Sequence, residues 1–159
     1  MSILAISGSL RAASKNTKLL RAMAELDPSI TLFERIGELP HFNSDVDDAG
    51  APQPVLDYRE QLRAADLIVI SSPEYAHGVP GVMKNALDWV VGSGELMEKP
   101  IVLINVSPAS KFAVPQLIET LTVMSAKIAA TVNLFPVEEN ALRSLIDELH
   151  AIETTARSI

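Results

Sequence analysis

Five short apolar runs punctuate the 159-residue chain: Ile3–Ile6, Ile30–Phe33, Leu67–Ile70, Ile101–Val106 and Thr131–Phe135. They are rich in Ile and Val and continuous, not alternating, which predicts strands buried on both faces and hence a parallel sheet. Between them, apolar residues recur at helical spacing. Leu19, Leu20, Met23 and Leu26 follow the first run, and Leu56, Leu62 and Ala65 precede the third. Val82, Ala86, Trp89 and Val90 mark a helix that opens near Pro80 and closes at Gly92. Leu117, Leu121 and Met124 mark another, with Pro115 near its start, and Leu142, Leu145, Ile146, Leu149 and Ile152 mark the last. Five strands alternating with five helices predict a three-layer α/β domain, doubly wound, with right-handed crossovers and no second domain within residues 1–159. One stretch departs from the rhythm. Ile36–Pro54 is dense in Gly, Pro, Asn and Asp and reads as a long loop, either functional or a solvated excursion.

Composition narrows the function. A hydrophobic content of 48% and mean hydropathy of +0.23 fit a packed globule. A net charge of −7 argues against nucleic acid as a partner. The chain has no cysteine, which excludes thiolate, disulfide and zinc–cysteine chemistry. No apolar run approaches the roughly 18 residues of a membrane span, and the basic-then-apolar order of a signal peptide is missing, so the expected location is the cytoplasm.

Against this acidic background the leading segment stands apart. No Asp or Glu occurs before Glu25, while Arg11, Lys15, Lys18 and Arg21 all do. The first strand breaks at Gly8, and Ser9, Ser14, Asn16 and Thr17 follow as a helix opens. Free backbone N–H groups at a helix start, hydroxyls and cations together form an anion cradle. Three spaced glycines are missing, and so is a glycine-lysine-serine/threonine triplet, so neither the dinucleotide fingerprint nor a Walker loop is present. What remains suits a terminal phosphate monoester held by Ser9, Ser14, Asn16 and Thr17, with Arg11 able to give two hydrogen bonds and Lys15 adding charge. The plainer alternative is that Asn16 caps the helix and the serines fill a turn.

In such a sheet, ligands bind beyond the C-terminal strand ends. Two further loops leave that edge, Ser71–Gly81 and Ser107–Ser110. Pro73 and Pro80 stiffen the first of these, Gly78 and Gly81 permit close approach, and Tyr75 and His77 present flat groups. A rigid loop of this kind suits edge-on contact with a planar heterocycle. Glu74 is either a base or a brace for the loop, and the brace is the reading adopted; His77 reads as a surface or packing residue. His41 and His150 form no ligand cluster with His77, so no metal site is expected. Asn85 and Asp88, three apart, are placed to tie the loop to its helix. Trp89 is either core or an interface anchor.

Gly8-Ser9-Leu10-Arg11 with Ser14, Asn16 and Thr17, together with Pro73-Glu74-Tyr75 and the run Val79–Trp89, resembles the NADPH-dependent FMN reductase family, whose flavodoxin-like members reduce flavins, quinones, azo dyes and chromate. The resemblance implies strand order 2-1-3-4-5, FMN as cofactor, NADPH or NADH as co-substrate, a small-molecule acceptor and a homodimer or homotetramer. It places the phosphate loop on Ser9, Arg11, Ser14, Asn16 and Thr17, the flavin-ring loop on Pro73, Glu74, Tyr75, Ala76 and His77, and a third contact on Ser107. In this chemistry the cofactor reacts and the protein orients, so no catalytic side chain is named. Two departures are visible: Ala76 where many members have Asn, and Pro108-Ala109-Ser110-Lys111 where many have a glycine-rich loop. A flavodoxin-like electron carrier without NAD(P)H turnover is the alternative, and Arg11 and Lys15 count against it.

Overall fold

The computed structural model describes residues 2–156, with side chains through Ile152. Five parallel strands, β1 (Ile3–Ser7), β2 (Ile30–Phe33), β3 (Leu67–Ser71), β4 (Pro100–Asn105) and β5 (Lys127–Asn133), form one sheet in the order β2-β1-β3-β4-β5. Six α-helices are interleaved: α1 (Lys15–Leu26), α2 (Ser44–Gly50), α3 (Gln53–Ala64), α4 (Gly81–Val91), α5 (Ala113–Val123) and α6 (Glu139–Ala156). The architecture is flavodoxin-like. Alternate strand residues feed two cores. Leu4, Ile6, Ile68, Ile70, Ile101 and Leu103 pack under α3, α4 and α5. Ile3, Ala5, Leu67, Val69, Val102 and Ile104 pack under α1 and α6. The three central strands are therefore buried on both faces, as their continuous apolar runs require.

The edges differ from the sequence expectation. In β2, Thr31 is exposed, and β5 alternates between exposed and half-buried positions. β5 also begins at Lys127 and ends at Asn133, four residues earlier at its start than the apolar run suggests. A bulge explains its pattern: Ile101 pairs with Ile128 but Val102 pairs with Ala130. The extra residue sends Ile128 to one core and Ala130 and Val132 to the other.

The expected loop at 36–54 is largely helical. Ile36–Glu38 forms a 3-10 turn and Ser44–Gly50 forms α2, raising the α-helix number to six. Asn43 caps α2, its Oδ1 accepting from Asp45 N at 2.9 Å. The segment is held down from the core side. Arg59, 7% exposed, donates to both Asp47 carboxylate oxygens (3.0 and 2.8 Å) and, through Nε, to the Trp89 carbonyl at 3.1 Å. Asn85 accepts from Phe42 N (2.8 Å) and donates to the Pro40 carbonyl (2.9 Å), which also takes the Trp89 indole N–H at 2.7 Å. Asn85 thus ties α4 to residues 39–42 and not to the loop that precedes it. Asp88 pairs with Lys84, one turn away. Trp89 is fully buried and meets Phe42 edge-on, with ring centroids 5.2 Å apart, so it is core.

Candidate functional site: three loops around one crevice

Strand order reverses between β1 and β3, and the loops leaving these two strands meet at their C-terminal ends. The contact is tight. A Cβ on Gly8 would lie 2.2 Å from Ser72 Oγ, so only glycine lets the two loops approach this closely. The loop after β4 completes a crevice of about 380 Å³. It gathers Ser9, Arg11, Ser14, Lys15 and Asn16 from the first loop, Pro73, Glu74 and Tyr75 from the second, and Ser107 from the third.

The first loop is ordered by its own hydroxyls. Ser7 Oγ and Thr17 Oγ1 lie 2.7 Å apart, Ser9 Oγ accepts from Arg11 N, and Ser14 Oγ accepts from Thr17 N. Ser14, not Asn16, is the helix cap. Asn16 is buried, and its Oδ1 takes the Ser71 hydroxyl at 2.8 Å, fastening α1 to the end of β3. Thr17 sits on the far side of the loop, in a smaller cavity of about 160 Å³ with Arg21 and Phe33. The N–H groups of Lys15 and Asn16 lie in the first turn, where no helix carbonyl can reach them. Among the described residues, no carboxylate pairs with Arg11 or Lys15, whereas Arg21 is engaged by Glu34 at 2.8 Å.

The second loop is ordered from outside. Glu74 accepts from the N–H groups of Lys111, Phe112 and Ala113 at 2.8, 2.6 and 2.9 Å, and from the Ser110 hydroxyl at 3.2 Å. It caps α5 from another loop. These donors, Phe112 N–H first, hold its carboxyl below the usual Glu value. A base needs the opposite shift, so Glu74 braces the loop. Val79 N donates to Gln116 Oε1 at 2.9 Å, and His77 stacks on Phe112 with centroids 4.2 Å apart. Tyr75 and Gly78 exchange both backbone hydrogen bonds around Ala76 and His77, whose φ values are +49° and +59°. This two-residue turn with two positive φ values normally selects Asn-Gly. It carries Ala76 and His77 out of the crevice wall and leaves Tyr75 54% exposed at its mouth.

The third loop is a tight turn. Ser110 N donates to the Ser107 carbonyl, Ala109 N to Ser107 Oγ, and Ser107 N to Asn105 Oδ1. Asn105, buried at the end of β4, also donates to Asn133 Oδ1 at 2.9 Å. Sequence reasoning missed Asn105; it brought the loops that hold Ser72 and Ser110 to this edge without naming either as a site residue. An Asn closing an otherwise apolar strand was the available signal. Among the described residues, no His, Asp and Glu cluster capable of holding a metal occurs.

A sequence model of the NADPH-dependent FMN reductase family matches residues 1–138. The chain belongs to this family. A quinone reductase of Pseudomonas putida is 36% identical over 114 residues, 69% of this chain and 61% of its own. An NAD(P)H-dependent FMN reductase of Pseudomonas aeruginosa is 44% identical over 90 residues, covering 55% and 48%. The chain thus aligns with about half to three-fifths of the length of these curated relatives. A solved flavoenzyme, the NAD(P)H:(acceptor) oxidoreductase FerB of Paracoccus denitrificans, is 26% identical with a TM-score of 0.76, covering 99% of this chain and 97% of that one. Within this family member, the two departures noted in the sequence acquire a shape: Ala76 occupies a left-handed position that Asn tolerates better, and Pro108–Ser110 replaces glycine freedom with a hydroxyl-stapled turn.

Proposed function

We propose that this chain is an FMN-dependent NAD(P)H oxidoreductase that passes reducing equivalents to a small acceptor: a quinone, a free flavin, an azo compound or a metal oxyanion. The observation that carries the proposal is the crevice. It brings two cations without carboxylate partners to one end and a stiff loop edge to the other. Its volume falls within the range of small-molecule clefts. The residues present fit FMN, which supplies the acceptance and release of hydride when bound. Arg11 and Lys15 would neutralise its phosphate, with the Ser9 and Ser14 hydroxyls and the first-turn N–H groups of α1 as donors. The Pro73–Tyr75 backbone would run along the ring, and Ser107 would bound it from the third loop. Ala76 and His77 contribute the turn that sets this edge, and Asn16 and Thr17 hold the phosphate loop in shape. Glu74, held anionic, fixes the second loop on α5 and donates no proton at neutral pH.

We further propose cytoplasmic work as a homodimer or homotetramer. No helix of the described residues is long and apolar enough to cross a membrane. Exposed Met97 and Val123 lie on segments that meet where Glu98 N bonds the Ser125 carbonyl, and Val91 is exposed at the end of α4, which favours a partner subunit on this apolar surface. Light scattering in solution tests the assembly, and a monomer would refute it. The function is tested by titrating purified protein with FMN and following NADPH or NADH oxidation with a quinone. Tight FMN uptake and quinone-dependent turnover are expected. FMN uptake without turnover would assign a carrier, and no uptake would end the flavin reading.

A further inference from the structure

A second cavity, of about 440 Å³, lies beside the crevice. Leu19 and Ala22 of α1 form one wall, Pro108 of the third loop another, and Phe135, Pro136 and Val137 after β5 the third. The only polar side chains on its lining are Lys15 and Lys18, on the same face of α1 as Ala22. Phe135 and Val137 are more than 40% exposed, and among the described residues neither lysine has a carboxylate partner. The chain's last helix does not cover this groove. α6 starts at Glu139 and runs away from it, so that His150 lies 2.7 Å from Asp27 at the far end of α1. No residue of the second loop reaches the groove, which adjoins the crevice through Lys15 and Val106, residues that line both.

We propose that this groove is a binding site of its own, for a small amphipathic aromatic anion: a flat ring system carrying one carboxylate or sulfonate. The assignment follows from charge and shape. Open apolar surface of this volume with a few convergent polar groups is the usual make-up of a ligand site. Phe135, Pro108 and Pro136 offer flat faces to a ring. Lys18 stands at one side without a carboxylate partner, and Lys15, shared with the crevice, adds to the positive potential there, which selects an acid group and disfavours a cationic ligand.

The probe is 8-anilinonaphthalene-1-sulfonate, whose fluorescence rises on leaving water. With FMN in excess to occupy the crevice, the folded wild-type chain should show one saturable site per chain. Affinity should fall with added salt, and neutral N-phenyl-1-naphthylamine should bind more weakly. Lys18→Ala, a surface change confined to this groove, should weaken the probe about threefold to fivefold and flatten the salt dependence. Ala22→Phe should fill the groove and abolish binding, with the circular dichroism of the wild type retained. Should Ala22→Phe not fold, Lys18→Ala and the salt series still decide. Probe binding that neither substitution changes, or no saturable site, would overturn the proposal, and equal affinity for the neutral analogue would overturn the anion assignment. A chain that binds the probe in this manner but takes up no FMN would end the flavin reading and leave the groove standing.

Discussion

The first and second loops border the same crevice yet are organised in opposite ways. The first is self-sufficient: Ser7, Ser9, Ser14 and Thr17 satisfy one another and their neighbours within ten residues of chain. The second depends on α5, more than thirty residues downstream, which receives Glu74, Gln116's partner Val79 and the His77 ring. Local hydroxyl bonds leave the cations of the first loop free for a ligand. Remote bracing lets the second loop keep a turn that its own residues disfavour. A binding site can therefore be half written in neighbouring residues and half in long-range pairing.

The largest effect should come from the point where the loops touch. Gly8→Val places methyls where Ser72 Oγ sits, and should cost about 1–3 kcal/mol in urea unfolding and abolish FMN uptake. An unchanged unfolding midpoint would show that the loops are independent. Next, Arg11→Ala should weaken FMN binding at least tenfold, on the order of 1.4 kcal/mol, without moving the melting temperature. An unchanged dissociation constant would remove Arg11 from the phosphate site.

Glu74→Gln probes the remote brace. The native carboxyl titrates below the ordinary Glu value near 4.5. The unfolded chain therefore takes up its proton first as pH drops, and the folded state loses this contribution. The melting-temperature gap between wild type and variant should be constant above that ordinary value. It should close as pH falls through the lowered native value. A gap that persists in acid would mean that the carboxylate's charge is not what holds α5. The smallest effect should be a gain: Ala76→Asn suits φ +49° and should stabilise the chain by about 0.5 kcal/mol. A loss of stability would show that the turn carries no strain.

The same division decides how much was legible in the sequence. The central strands, the phosphate loop and the helix from Gly81 announce themselves through contiguous apolar runs, a break at glycine and prolines at a helix start. α2 does not, because three aspartates fill its seven residues and it buries no side chain; Arg59, from another helix, holds it in place. β5 was misplaced because Lys127 is charged, Ala129 and Ala130 are small residues with little strand preference, and the bulge switches its faces midway. Glu74 was legible as a brace but its target was not, since spacing along the chain says nothing about which helix start lies opposite. Asn16 was identified as part of the phosphate loop, whereas its side chain serves the β3 end.

Arg59 also bears on how this chain can be cut or extended. Judged by composition, residues 36–54 are the natural place to split the molecule into fragments or insert a foreign segment. The guanidinium inside the fold grips Asp47 from one side and the end of α4 from the other. A graft there would pull at the helix behind the second loop. The turn at Gly92–Gly94 has more room, with no atom within 4 Å of an added Cβ at either glycine, but Gly94 sits at φ +76° and the turn borders the face assigned to a partner subunit, so a graft there would be read out in the assembly state.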